Sequence, residues 1–232
     1  MIAPPPLKAR ISITGRLIAD LLATAGATHV MTMALHSPQV HGFFSAPTDE
    51  LTARDILADH FKGRDLRSTV VVAPDIGHGK RATDFAKTLG GLPVAAGNKT
   101  RLSDEHVEVE IIGDLRGCHK AIVIDDEIAT GNSVLETIEK LHLKGINEVA
   151  VVCTHGVFTG DAVQRLGAVP QIKEIVTTNT VPIPPEKHLP HMKVLSVAPL
   201  FAEAIRRNFL GQSLGYLFEG WKEEAGDPPD VE

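Results

Sequence analysis

Along most of this chain, apolar runs of strand length alternate with segments whose apolar residues recur at helical spacing. The runs "HVMTMAL" (29–35), "STVVVAP" (68–74), "LPVAA" (92–96), "KAIVI" (120–124), "EVAVVCT" (148–154), "KEIVTTN" (173–179) and "MKVLSV" (192–197) predict strands. Between them, "ITGRLIADLLATAG" (13–26), "ELTARDILADHF" (50–61), "KRATDFAKTLG" (80–90), "NSVLETIEKLHLKG" (132–145), "DAVQRLG" (161–167) and "LFAEAIRRNF" (200–209) predict helices. Such alternation is the pattern of an α/β fold with a largely parallel sheet and helices on its faces. In the first helix Leu17, Ile18, Leu21 and Leu22 share one face, Thr14 can cap the start and Gly26 can end it. In the fourth, Val134, Leu135, Ile138 and Leu141 point inward.

Three stretches break the rhythm. "NKTRLSDEHVEVE" (98–110) is polar until its alternating end and predicts a long loop leading into a strand. Loops of that kind in compact domains are often functional. "VPIPPEKHLP" (181–190) is a proline-rich connector, and "EEAGDPPDVE" (223–232) is an acidic tail expected to stay disordered.

Composition narrows the classes. With 232 residues and 43% hydrophobic content, the chain can bury a substantial core. A net charge of −6 argues against a protein whose affinity rests on neutralising duplex phosphates. Cys118 and Cys153 have no metal spacing and are too few for a disulfide framework, which makes a reducing cytoplasm the default. The opening "MIAPPPLKAR" has no apolar core of a signal peptide, and no apolar run approaches membrane-spanning length. A soluble cytoplasmic protein with neither a nucleic-acid nor a membrane partner is the expectation.

The chemistry concentrates in "IVIDDEIATGNSV" (122–134), where an apolar strand runs into Asp125 and Asp126 and a small, hydroxyl-rich turn then opens a helix. In parallel sheets, ligands sit at the carboxyl ends of the strands, where the next loop meets a helix N-terminus. The turn offers backbone N–H groups, the hydroxyls of Thr130 and Ser133, and the positive end of a helix dipole, which suits a phosphate monoester. Asp125 and Asp126 are placed to hold sugar hydroxyls or a bridging Mg²⁺. The same residue types also make a plain helix cap, so the pair alone is not decisive.

"IVIDDEIATGNSV" resembles the phosphoribosyl-pyrophosphate binding motif of type I phosphoribosyltransferase folds. "ITGRLIADLLATAGATHVMTMALHSPQVHGFF", "VVVAPDIGHGKRATDFAK", "IIGDL", "THGVFTGDAVQRL" and "VLSVAPLFAEAIRRNFLGQSLGYLF" resemble successive segments of the ribose-phosphate pyrophosphokinase (phosphoribosyl pyrophosphate synthetase) family, in one register from about Lys8 to Phe218. The resemblance implies a type I phosphoribosyltransferase-like domain over residues 51–221, part of a related domain over 1–50, and the tail over 222–232. It also implies transfer of the β,γ-diphosphate of ATP to C1 of ribose 5-phosphate, giving phosphoribosyl pyrophosphate and AMP.

Residue by residue, the resemblance places Lys99 and Arg101 of "NKTR" as catalytic groups on a mobile loop, Arg101 also contacting the sugar phosphate. It places Asp125, Asp126, Ala129, Thr130, Gly131, Asn132 and Ser133 at the ribose 5-phosphate site. His36 and Asp75 fall on the ATP and Mg²⁺ side, although histidine is not the usual partner of hard Mg²⁺. His78, Lys80 and Arg81 follow Asp75 at a helix start, where they serve equally well as nucleotide contacts or as a solvated terminus. A closed homo-oligomer, built of dimers or a hexamer, belongs to the same implication.

The departures from the family pattern are specific. Ala34 and Ser45 stand where the family has aspartates, Ala129 replaces an acid of the phosphate loop, and Glu127 adds one in the same turn. The family's N-terminal half-domain, with the segments that clasp ATP, is expected before Lys8, and a sheet without those strands is expected to leave an edge and an apolar face open. Two further readings therefore stand beside the synthetase: a non-catalytic paralogue that regulates a complete enzyme, and a phosphoribosyltransferase acting on a base.

Overall fold

The computed structural model describes residues 14–101 and 107–220. The opening "MIAPPPLKAR", the middle of the expected loop at 102–106 and the acidic tail at 222–232 lie outside the described residues. The chain divides into two compact units between Leu51 and Thr52.

In the first unit, helix α1 (Thr14–Thr24) stops where Gly26 adopts φ 92°, the left-handed conformation that glycine provides after a helix C-terminus. Strands β1 (Val30–Met33) and β2 (Thr48–Leu51) pair in parallel with Val30 opposite Thr48, joined by a 3-10 turn at Pro38–Phe43. Side chains hold the pair together: His29 Nε2 lies 2.6 Å from Asp49 Oδ2, and Leu35 N–H donates to Glu50 Oε1 at 3.0 Å.

The helix expected over 50–61 is confined to α2 (Arg54–Asp59), because Glu50 and Leu51 belong to β2. A four-residue strand with one buried position has too short an alternation to announce itself. On α1, Ala19 is buried whereas Leu17 and Leu21 are 51% and 55% exposed. Ile18 and Leu22, 47% and 39% exposed, lie on the same face of the helix.

The second unit is built on a seven-stranded sheet. Its strands are β3 (Thr69–Ala73), β4 (Val94–Arg101), β5 (Val107–Gly113), β6 (Lys120–Ile128), β7 (Glu148–Gly156), β8 (Ile172–Thr178) and β9 (Met192–Leu195). They lie in the order β5-β4-β3-β6-β7-β8-β9, and every neighbouring pair is parallel except β4 with β5. The helices are α3 (Gly79–Thr88), α4 (Asn132–Leu143), α5 (Ala162–Gly167), α6 (Ala198–Leu210) and α7 (Gly215–Gly220), the last without a sequence signal of its own.

Central strands buried on both faces read as continuous apolar runs. All five residues of β3 are buried, as are Ala121 to Ile124 of β6. From α4, Val134, Ile138 and Leu141 enter the same core with Thr137, while Leu135 packs at its margin. The order places β3 beside β6 at the centre, so the loops after these strands rise next to each other at the carboxyl edge.

Two boundaries differ from expectation in ways that matter for the site. β4 continues through Arg101 and pairs antiparallel with β5, Lys99 opposite Val109 and Arg101 opposite Val107. The backbone around Lys99 is therefore part of a ribbon, since polar residues extend a strand readily when a partner supplies the ladder bonds. β6 likewise runs on through Ile128, which puts Asp125 and Asp126 inside the strand.

Candidate functional site

The carboxyl end of β6 and the turn that follows form the most chemically dense part of the second unit. Asp125 and Asp126, consecutive in β6, differ in burial and in their nearest partners. Asp125 sits opposite Cys153 of β7 and accepts a hydrogen bond from the Asp126 amide at 2.9 Å. Its Oδ1 lies 3.2 Å from His78 Nδ1, which arrives from the 3-10 turn at Ile76–His78.

Asp126 is the more deeply placed of the two, with only 2% of its side chain exposed, and it forms an ion pair with Arg81 of α3. It also accepts the Glu127 N–H at 2.8 Å. Burial by itself would raise this carboxyl's pKa; the charges of Arg81 and His78, together with the hydrogen bond from Arg81, outweigh it and hold the group below the usual carboxylate range. Asp126 is the buried one of the two acids, and its carboxylate meets Arg81.

Asp75 ends the loop after β3 and accepts the Gly77 N–H at 2.7 Å, capping the short turn that carries His78. The β3 and β6 loops are thus linked by two acid–base contacts, His78 with Asp125 and Arg81 with Asp126. Neither link follows from the spacing within either motif, because the partners are 45 residues or more apart.

The turn 129–133 is shaped by Gly131, whose φ of 77° places it in the left-handed region directly before α4. An L side chain there is strained, and a Cβ would also stand 3.5 Å from Leu166 of α5. Thr130 Oγ1 accepts the Asn132 N–H at 3.5 Å, and Thr137 Oγ1 donates to the Ser133 carbonyl at 2.7 Å. The first turn of any α-helix directs N–H groups that lack intrahelical partners outward, and α4 does so beside Thr130 and Ser133.

The loop after β7 supports this turn from the side. Phe158 N–H and Thr159 N–H donate to the carbonyls of Ile128 and Ala129, each at 2.9 Å. Phe158 is fully buried and takes φ 43°, and a Cβ on Gly156 would fall 2.5 Å from its ring. Lys187 Nζ donates to the Phe158 carbonyl at 2.6 Å, so the proline-rich connector reaches back to the same place. Beneath it, Cys153 is completely buried with its Sγ 3.3 Å from Thr177 Oγ1, and burial pushes its thiol up to about 12.

Of the residues singled out in the sequence, Asp75 and the turn 129–133 belong to these adjoining βα loops, and Asp125 and Asp126 to the end of β6. Lys99 and Arg101 lie on β4, next to β3, where only their backbone is described. His36 follows β1 in the first unit. Arg165 was missed: its Nη1 donates to Asn132 Oδ1 at 2.8 Å and approaches the Thr130 carbonyl at 3.4 Å. No local pattern marks it, since it acts across 33 residues of chain. A cavity of about 350 Å³ lined by Phe61, Arg64, Lys120 and Glu174 lies at the opposite, amino ends of the strands.

A family model described as phosphoribosyl synthetase-associated domain matches residues 96–219. A ribose-phosphate pyrophosphokinase from Clostridium acetobutylicum is 46% identical over 215 residues, covering 91% of this chain and 66% of the relative. One from Bacillus subtilis is 42% identical over 212 residues with the same coverage, 91% and 66%. Among solved structures, the crystal structure of phosphoribosylpyrophosphate synthetase from Mycobacterium smegmatis superposes with a TM-score of 0.80 at 37% identity, covering 87% of this chain and 65% of that one. The chain therefore spans just under two thirds of the length of these relatives.

Proposed function

Because the chain belongs to the ribose-phosphate pyrophosphokinase family, we propose that it acts in transferring the β,γ-diphosphoryl group of ATP to ribose 5-phosphate, giving phosphoribosyl pyrophosphate and AMP. The observation that carries this reading is the turn 129–133, with Gly131 left-handed at the N-terminus of α4 and a carboxylate strand directly before it.

In this reading, the backbone N–H groups of the turn and the hydroxyls of Thr130 and Ser133 hold the 5-phosphate, aided by the α4 dipole. Asp125 accepts hydrogen bonds from the ribose hydroxyls, and Asp126 fixes the strand end against Arg81 so that Asp125 is held still. The C1 hydroxyl oxygen bonds to the β-phosphorus of ATP, the hydroxyl proton is lost, and the bond from that phosphorus to the α–β bridging oxygen breaks as AMP leaves. Lys99 and Arg101 act on the charge of the transferring group, Lys99 as a compact cation and Arg101 as a fork for phosphate oxygens.

Carboxylate oxygens are the donors that suit Mg²⁺. Asp75 and Asp125 offer them, with His36 read on the ATP side by resemblance, and the ion when bound would neutralise charge on the diphosphate. ATP as co-substrate and a closed homo-oligomer belong to the same proposal. No helix among the described residues is long and apolar enough to cross a membrane.

Calorimetric titration of the purified chain with ribose 5-phosphate, and separately with ATP and Mg²⁺, followed by an AMP-release assay on the same sample, tests the proposal. Saturable binding of ribose 5-phosphate, abolished when Gly131 is replaced by valine, is the expected result. A wild-type chain that ignores ribose 5-phosphate and releases no AMP would overturn the reading.

A further inference from the structure

The phosphate turn does not hold its shape alone. Segment 158–166, from a different βα unit, meets it at several points: Phe158 and Thr159 donate to the carbonyls of Ile128 and Ala129, Leu166 lies under Gly131, and Arg165 reaches the Asn132 side chain and the Thr130 carbonyl. The first three contacts belong to backbone and packed carbon. Arg165 differs, because it is exposed on α5 and enters only through its guanidinium.

We propose that Arg165 is a positioning residue for the phosphate turn, acting through Asn132 Oδ1 and the Thr130 carbonyl to hold residues 130–133 in the conformation that receives a phosphate; this rests on the sugar-phosphate reading of the site. Two acceptors on either side of a left-handed glycine are bridged by one nitrogen of a planar group. The two N–H bonds of Nη1 lie fixed in the rigid guanidinium plane and so restrict both acceptors together, whereas an ammonium rotates freely about its stem. Asn132 opens α4, so fixing its side chain also fixes the first turn of the helix whose N–H groups face the ligand. The guanidinium further sets a positive charge beside a strand end carrying Asp125, Asp126 and Glu127, which otherwise disfavours an incoming anion.

The test uses Arg165→Ala and Arg165→Lys, with amide hydrogen exchange read in the absence of ligand and ribose 5-phosphate affinity read by calorimetry. Exchange at residues 130–134 is expected to quicken about tenfold in both variants, while amides of β8 stay as in the wild type. Affinity is expected to fall about tenfold in both, with the melting temperature held within about 2 °C. Unchanged exchange at 130–134 in Arg165→Ala, or full recovery of exchange and affinity by lysine, overturns the positioning role, the latter by reducing Arg165 to a point charge. Failure of the wild-type chain to bind ribose 5-phosphate counts against the functional reading instead, and the exchange experiment still decides the role of Arg165.

Discussion

Replacing Arg81 with alanine is expected to lower the stability of the second unit by about 3 kcal/mol, the low end of the cost of removing one partner from a buried ion pair, because Arg81 is itself 34% exposed. The expectation rests on Asp126, whose side chain is 2% exposed and whose main counter-charge is the Arg81 guanidinium. In the intact protein the folded-state pKa of Asp126 lies below its unfolded value. Its contribution is therefore complete above the ordinary carboxylate range and is lost as the pH falls through the folded pKa. Without Arg81 the largest influence on this carboxyl is burial, which favours the neutral form and moves the folded pKa upward.

The penalty should therefore be greatest near neutral pH and shrink in mild acid, where the group can bind a proton. Denaturant unfolding of both proteins at about pH 7 and about pH 4.5 checks this. An unchanged midpoint at neutral pH would show that the pair contributes nothing. A second substitution, Asp126→Asn, in the Arg81→Ala background should recover part of the loss, because it removes the buried charge while keeping the shape.

Replacing Lys99 with alanine is expected to reduce AMP formation by roughly 10²–10³ while leaving the affinity for ribose 5-phosphate within about twofold. The sugar phosphate is read at the β6–α4 turn, whereas Lys99 lies on β4, two strands away across β3. A cation that meets charge only as the diphosphoryl group moves lowers turnover without lowering ground-state binding. Steady-state AMP release at saturating substrates, beside calorimetry with ribose 5-phosphate alone, separates the two effects. A raised KM at unchanged kcat would move Lys99 from charge stabilisation to simple binding.

Much of this architecture was legible because buried parallel strands and their helices write long, contrasting patterns. β3, β6 and β7 are apolar runs that need no partner to be recognised, and Val134, Ile138 and Leu141 mark the inner face of α4 at helical spacing. The short elements were not legible for the opposite reason. β2 has one buried residue, and the distal half of β4 consists of polar residues that are strand only because β5 lies alongside.

The candidate site divides the same way. Gly131 and its small polar neighbours announce a turn because they must satisfy local backbone demands. Arg81, His78 and Arg165 take their roles from residues 33 or more positions distant, and nothing in their own surroundings along the chain records that. That Asp125 and Asp126 lie in a strand rather than in a turn was not legible, because the apolar run ends at Ile124 while β6 continues to Ile128.

Cys153 gives the site a chemical temperament. It stands opposite Asp125 in the β6–β7 register, and burial, by raising its thiol pKa, keeps it protonated at neutral pH. Oxidation begins from the thiolate and requires access, and Cys153 has neither in useful measure. The strand position beside Asp125 is therefore a poor target for peroxide and for electrophiles.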